Sequence, residues 1–286
     1  MTGAPVRRAI LQSGSLYLSP PQNPTNGHAL CKGLEARLDK EGTCLADAPV
    51  DLVVQTLKMA GVVSLWLQLT EELSGWETRT SHIDQLVIGD VEYESVIWRN
   101  GIETMTAADI VACFDSASDK ASQLKRLYNI VSDRSTSCKL GALDFINDTR
   151  FALPVMQLRD AYRKAGKPVY GYVFDQVNPW QASNRAHHAV DLVMLFGNLD
   201  LTHNEGAAAV RNDVQNKWLA FCNGEAPWSK EQTYAFGPNG VCGEISLKEF
   251  ENRRRVRACD LLKEMGPDQY NTIFRKLAAG RISLLN

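Results

Sequence analysis

The sequence predicts an α/β fold in which parallel strands are covered by helices. Three short apolar runs, at residues 5–11, 85–89 and 167–175, each end in a polar or glycine turn, as buried strands do. Helical patterns lie between the second and third runs, and helical crossovers join strands that run in the same direction. The chain has 286 residues, 44% of them hydrophobic, so it is long enough to bury a substantial core.

The first two runs, PVRRAIL at 5–11 and QLVIG at 85–89, are short enough to be buried strands. The third, KPVYGYVFD at 167–175, is the clearest because Val, Tyr and Phe favour strands. Between the second and third runs, Thr106 is followed three residues later by Asp109 and then by apolar residues. This spacing is typical of a capped helix start.

A second helix is predicted over residues 153–164, ended by Gly166 just before the third strand. The last third of the chain is predicted to be mostly helical. One of its helices has an apolar stripe, which is interpreted as core: Val210, Val214, Trp218 and Phe221. Four arginines further on are interpreted as a solvated helix face, with an anion site as the less favoured alternative: Arg253, Arg254, Arg255 and Arg257.

Composition excludes several classes of protein. Thirty-one basic against 33 acidic residues give a net charge of −2, so nucleic acid is not a predicted partner. The longest nearly apolar stretch, residues 59–69, is far shorter than the roughly 20 residues of a membrane-spanning helix. The N-terminus as written lacks a signal-peptide core, which predicts a cytoplasmic chain. The seven cysteines are scattered and do not have the spacing of a metal site. Cys31 and Cys44 are close enough in sequence to form a disulfide if the protein were secreted.

Ionisable residues follow two of the predicted strands. Three acids, Asp90, Glu92 and Glu94, come after the second strand, and His187 and His188 follow the third. The carboxyl ends of parallel strands meet at one edge of a sheet, where α/β folds place their reactive groups. An acid there can orient a histidine, as in a Ser-His-acid triad, whereas the alternative interpretation is solvated loop charge.

The motifs at these positions resemble those of type-B carboxylesterases and cholinesterase-like lipases, with fungal members the most similar. The segment LVIGDVEYES resembles the family's acid loop, in which the catalytic Glu lies five residues after a strand-ending Gly, here Glu94. The segment HHAVDLVMLFG is similar to the family's histidine segment, whose catalytic His precedes a Phe-Gly pair by eight residues, here His188. The departures are Ser95 and Ala189, where the family has Gly, and Asp191, where it has Glu.

Two further segments, NKWLAFCNGEAPW and RRAILQSGS, resemble family landmarks near the end of the domain and after the nucleophile helix. In relatives the serine at Ser13 supports the acid. The resemblance therefore implies an α/β-hydrolase fold that is incomplete: the C-terminal half of the central, mostly parallel sheet with its covering helices. It implies a serine-type ester hydrolase that needs no cofactor or metal and acts on a small-molecule or lipid ester.

The family's nucleophile lies in a Gly-x-Ser-x-Gly elbow that precedes the acid, and no serine of this sequence has those flanking glycines. Residues 1–286 are therefore interpreted as one truncated carboxylesterase domain that retains Glu94 and His188, has no nucleophile and is inactive as this chain. Ser13 and Ser15 are disfavoured as substitutes. The alternatives are a non-catalytic interaction module and a truncated gene product. An edge at residues 5–11 with unpaired backbone groups would favour self-association.

Overall fold

A computed structural model of the chain describes residues 6–18, 24–60, 75, 79–80 and 83–278. They divide into two compact units, one of Met1–Ser15 with Thr80–Asn286 and the other of Leu16–Arg79. Residue 5 of the first predicted strand and residues 61–69 of the apolar stretch lie outside the described residues.

The smaller unit is helical where it is described. It contains α1 (Pro24–Leu38) and α2 (Val50–Met59), and Leu38 at the end of α1 is fully buried. Cys31 and Cys44 are both free thiols, so the structure does not contain the bridge that their spacing allowed.

The larger unit is built on a five-stranded sheet of β1 (Arg8–Gln12), β2 (Gln85–Val91), β3 (Val169–Phe174), β4 (Thr233–Phe236) and β5 (Cys242–Ile245). The spatial order follows the chain, with β1 to β4 parallel and β5 antiparallel to β4. The predicted α/β class and the three predicted strands are therefore confirmed. Gly89 lies opposite both Gln12 and Tyr172, which brings the carboxyl ends of β1, β2 and β3 together.

The prediction that the last third is mostly helical missed β4 and β5. Both strands have only four residues, and they are joined through Gly237-Pro238-Asn239-Gly240. Such a Gly- and Pro-rich tetrapeptide between two apolar segments is a hairpin signal that was available in the sequence. Its presence adds the antiparallel edge to a sheet that is otherwise parallel.

Ten helices are described in the larger unit: α3 (Arg99–Glu103), α4 (Ala107–Asp115), α5 (Ala121–Leu127), α6 (Ser135–Asn147), α7 (Leu153–Lys164), α8 (Val190–Phe196), α9 (Glu205–Asn223), α10 (Leu247–Arg253), α11 (Val256–Met265) and α12 (Pro267–Ala278). The predicted start of α4 is confirmed, because Thr106 and Asp109 form a reciprocal capping box. The predicted end of α7 is confirmed as well, since Gly166 follows it with a φ of 69°.

Helices cover both faces of the sheet. Alternating residues of β2 point in opposite directions, so that Leu86 and Ile88 pack with Val155 of α7. On the other face, Val87 joins the cluster of α9, whose predicted stripe of four apolar residues is buried as expected. The sheet is thus the middle layer of three.

The helix predicted over residues 153–164 is confirmed as α7, and helical structure continues before it without a break. A π-helical turn, Asp148–Ala152, connects α6 directly to α7, and all five of its residues are buried. Pro154 has no main-chain N–H and so cannot donate a hydrogen bond inside a regular helix. The π-helical turn just before it already interrupts the regular i to i−4 hydrogen bonds, so the proline is accommodated there. Such turns are frequent at functional sites, and this one lies beside the two loops that follow β2 and β3.

Candidate active site

Two loops meet at the carboxyl edge of the sheet, one after β2 and one after β3. The N–H of Tyr93 donates to the carbonyl of Ala186 at 2.8 Å, and the N–H of His188 donates to the carbonyl of Tyr93 at 3.3 Å. These main-chain hydrogen bonds hold the loops together and place Glu94 next to His188.

Glu94 and His188 form a direct hydrogen bond. Nδ1 of His188 lies 2.6 Å from Oε2 of Glu94, and Oε1 of the same carboxylate accepts from the N–H of Val91 at 3.1 Å. The Glu94 side chain is 1% exposed and that of His188 is 36% exposed. Because the carboxylate accepts from Nδ1, the neutral imidazole keeps its proton there, and Nε2 is the basic nitrogen. Within the described residues, Nε2 has no hydrogen-bond partner.

The electrostatic surroundings favour a charged imidazole. The hydrogen bond to Glu94 raises the pKa of His188 against the opposing effect of burial, and the charges of Glu94 and Asp191 add to the rise. Asp191 is itself buried, and burial, with the neighbouring charge of Glu94, raises its pKa from 3.8 to about 6. The site thus contains one carboxylate in contact with the imidazole and a second one behind it.

The junction between α6 and the π-helical turn supports the acid loop. Asn147, the last residue of α6, accepts with Oδ1 from the N–H of Glu94 at 2.8 Å and from the N–H of Ser95 at 3.2 Å. Phe151 of the turn lies with its ring centroid 6.1 Å from that of His188. The sequence analysis missed both residues, although four consecutive polar residues, Asn147 to Arg150, interrupt the apolar pattern at this point.

The prediction that the arginine run is a solvated face is wrong. Arg254 is 4% exposed, and it donates to Oδ1 of Asp90 at 3.0 Å and to Oδ1 of Asp175 at 2.9 Å. Arg255 makes two hydrogen bonds of 2.8 Å to Asp148, and only Arg257 of the four is exposed. The acidic partners lie more than 75 residues away in sequence, so local charge patterning could not reveal them.

Each of the three acids predicted after β2 has a basic partner in the structure. Asp90 is bound by Arg254, Glu92 by Arg185 and Glu94 by His188, so none of the three is free loop charge. Despite the opposing charge of Arg254, burial raises the pKa of Asp90 to about 6. Three of the four arginines, Arg253, Arg254 and Arg255, are paired with internal carboxylates, so the run does not present the cluster of free cations on which the alternative anion site depended.

The remaining predicted residue, Ser13, is bonded to the sheet through its main chain and not to Glu94 through its side chain. Its N–H donates to the carbonyl of Gly89 at 3.0 Å, but within the described residues its hydroxyl makes no hydrogen bond to Glu94. Gln12, which the sequence analysis did not single out, instead donates to Oδ2 of Asp191 at 2.9 Å and accepts from Trp218 at 3.2 Å.

One departure in the histidine segment, Ala189, has a visible consequence for the backbone. Ala189 has a φ of 68°, a conformation that glycine adopts without strain and alanine does not. The neighbouring His187 does not approach the acid, because its Nε2 bonds to Asn178 at 2.7 Å and its Nδ1 to the carbonyl of His188. The loop therefore presents a single histidine to Glu94.

In the part of the chain that the structure describes, no group of three or more His, Cys, Asp or Glu side chains could hold a metal ion. No described helix is both long enough and apolar enough to span a membrane.

A parallel sheet between two layers of helices, with an acid after one strand and a histidine after the next, defines an α/β-hydrolase fold. Solved structures agree. The carboxylesterase EST55 of Geobacillus stearothermophilus has a TM-score of 0.65 at 18% identity, and the likeness covers 86% of this chain and 58% of that one. A structure described as PNB esterase has a TM-score of 0.60 at 18% identity, over 86% of this chain and 56% of that one.

The model of the carboxylesterase family matches residues 41–240. The chain belongs to this family. Lipase 3 of Yarrowia lipolytica is 24% identical over 282 residues, which are 95% of this chain and 55% of that protein. Lipase 1 of the same yeast is 23% identical over 246 residues, 85% of this chain and 48% of that protein. The chain spans about half the length of these curated relatives.

Proposed function

We propose that Glu94 and His188 are the acid and the base of a serine-type carboxylic ester hydrolase. The observation that carries the proposal is the 2.6 Å hydrogen bond between a buried carboxylate and Nδ1 of an imidazole whose other nitrogen has no partner within the described residues. This is the arrangement that hydroxyl activation requires, because the base must be oriented on one side and accessible on the other.

In the proposed reaction, Nε2 of His188 removes the proton from a serine hydroxyl while that oxygen attacks the ester carbonyl. Glu94 keeps the imidazole in the correct tautomer and stabilises its cation. The protonated Nε2 then donates to the leaving alcohol, and water releases the acyl group by the same steps in reverse order. Each of these roles uses an atom whose position the two loops and Asn147 fix.

We further propose that residues 1–286 contribute to one hydrolase domain but do not by themselves turn over esters. The sequence contains no Gly-x-Ser-x-Gly, so it lacks the elbow that places the nucleophile in this fold. Loss of the nucleophile alone lowers turnover by about 10⁶ in a serine hydrolase. The substrate class proposed for the complete site is a small-molecule or lipid carboxylic ester, as the names of the lipase and carboxylesterase relatives suggest.

The test exposes the purified chain to a fluorophosphonate probe, which labels activated serines, and to a short-chain aryl ester. A catalytically competent serine esterase serves as the positive control, and His188→Ala as the matched variant. We expect neither labelling nor turnover above the background of His188→Ala. Labelling of the wild-type chain that His188→Ala abolishes would show an activated serine and contradict the proposed inactivity.

A further inference from the structure

A buried guanidinium without a counter-ion lies on α7. Arg159 is 5% exposed, and its Nη2 donates to Oγ1 of Thr233 at 2.9 Å. Its Nε is buried and has no hydrogen-bond partner. Within the described residues, no carboxylate lies at ion-pair distance from it. One N–H donor of a buried guanidinium is therefore left without an acceptor, in an environment where an unpaired polar group is costly.

The guanidinium of Arg159 packs against a glycine of the sheet and an aromatic ring. Gly171 of β3 lies directly beneath the guanidinium, where a Cβ atom would be 2.2 Å from Cζ of Arg159. On another side, the ring of Phe250 lies with its centroid 5.5 Å from Cζ. Burial lowers the pKa of Arg159 to about 10, so that the group is still a cation at neutral pH.

Arg159 borders a cavity of about 200 Å³ whose lining includes Met156, Leu247, Phe250 and Val256. The cavity is smaller than the roughly 300 Å³ at which sites for drug-sized ligands begin. It therefore has room for a small molecule with a short apolar part.

The other charged groups at the cavity largely compensate one another. Lys263 lies 3.6 Å from Asp160 and 3.9 Å from Asp260, which leaves both acids facing that lysine. Arg163 also lines the cavity, and its charge lowers the pKa of Arg159, whereas the charges of Asp160 and Asp90 raise it. Three cationic side chains, Arg159, Arg163 and Lys263, face two acidic ones, Asp160 and Asp260, which leaves the lining with one excess positive charge.

We propose that this cavity binds a monocarboxylate with a short aliphatic tail, whose carboxylate pairs with Arg159 while the tail contacts Met156, Phe250 and Val256. A planar carboxylate matches the free donors of a guanidinium, and the apolar lining matches the tail. Inorganic phosphate fits less well, because it offers no apolar surface and carries more charge than one guanidinium balances. The site shares no residue with Glu94 and His188, so the proposal does not depend on the proposed function.

The experiment is isothermal titration calorimetry of the full chain with hexanoate, with hexanamide as the neutral ligand of the same shape and inorganic phosphate as the anion without a tail. The variant is Arg159→Met, which replaces a buried unpaired cation with an apolar side chain of similar length. Such replacements are often neutral or stabilising, so the variant is expected to fold, and circular dichroism verifies this. Lys164→Gln is the matched control, because Lys164 is an exposed cation of the same helix that does not line the cavity.

We expect saturable binding of hexanoate that Arg159→Met weakens by at least about tenfold, the size of a lost charge-assisted pair, and that Lys164→Gln changes little. Hexanamide and phosphate should bind at least tenfold more weakly than hexanoate. The proposal is overturned if hexanoate does not bind, if Arg159→Met binds it as the wild type does, or if hexanamide or phosphate binds equally well. Failure of the esterase assay would not affect any of these outcomes.

Discussion

Replacing Arg254 with methionine tests the buried ion pairs beneath the acid loop. The wild-type side chain donates to the carboxylates of Asp90 and Asp175 and to the carbonyls of Asp90 and Arg253. Methionine fills similar volume but leaves Asp90 without its buried partner, whereas Asp175 keeps Arg253, whose Nη1 lies 3.1 Å from Oδ2 of Asp175. Oδ2 of Asp90 already lacks a hydrogen bond, so this carboxylate has no other donor to turn to.

Removal of one partner from a buried ion pair typically costs about 3–5 kcal/mol, and for a domain of this size that corresponds to a fall in Tm of roughly 10 °C. The loss depends on pH, because the pKa of Asp90 is about 6 even with Arg254 present. A raised pKa in the folded state means that stability falls as pH rises through it. Without Arg254 the pKa of Asp90 rises further, so the loss should be largest near about pH 8 and smaller near about pH 5.

The assay is urea denaturation of wild type and Arg254→Met at both pH values, with Arg257→Met as the matched control. Arg257 belongs to the same run but is exposed, so its replacement should change the free energy of unfolding by less than about 0.5 kcal/mol. A loss below about 1 kcal/mol for Arg254→Met, or an equal loss at both pH values, would refute the reasoning.

Three further predictions concern the dyad and the sheet edge. Glu94→Gln should lower the pKa of His188, measured by NMR titration of the ring, because burial then acts without the carboxylate; an unchanged pKa would contradict the assigned contact. Above about pH 6, Asp191→Asn should have a free energy of unfolding about 3 kcal/mol higher than that of wild type, measured by urea denaturation, because the pKa of Asp191 rises from 3.8 to about 6 on folding. This difference in the free energy of unfolding should vanish near about pH 4. A less stable variant at high pH would count against that burial cost. In the described sheet β1 pairs only with β2, so the chain should self-associate through this edge; a monomer by light scattering with a cooperative melt is the opposing outcome.

The parts of the fold that the sequence revealed are those encoded locally. The strand 167–175 has a high local preference for β structure, and the capping box of Thr106 and Asp109 lies within four residues. The hairpin of β4 and β5 was missed because each strand is too short for a clear period, and its stability comes from pairing with β3. The π-helical turn was missed because apolar periodicity does not separate it from an α-helix.

At the candidate site, Glu94 and His188 were indicated by the resemblance of their segments to those of the family, in which each residue lies at a fixed offset from a strand-ending Gly or a Phe-Gly pair. Their contact joins residues 94 positions apart, and the α/β class alone explains why they meet. Asn147 and Arg254 could not be predicted in the same way, since their roles depend on partners 53 and 164 residues distant. Charge runs such as the four arginines are therefore poor indicators of exposure when the partners are remote.

The orientation of Glu94 does not depend on the imidazole. Its N–H is bound by Asn147, its Oε1 by the N–H of Val91, and the preceding Tyr93 by the carbonyl of Ala186. None of these three bonds involves the imidazole, so all three are available when His188 is replaced by alanine. His188→Ala is therefore expected to keep the loop in place, so that any reactivity it removes from a completed enzyme is attributable to the lost base and not to a displaced acid.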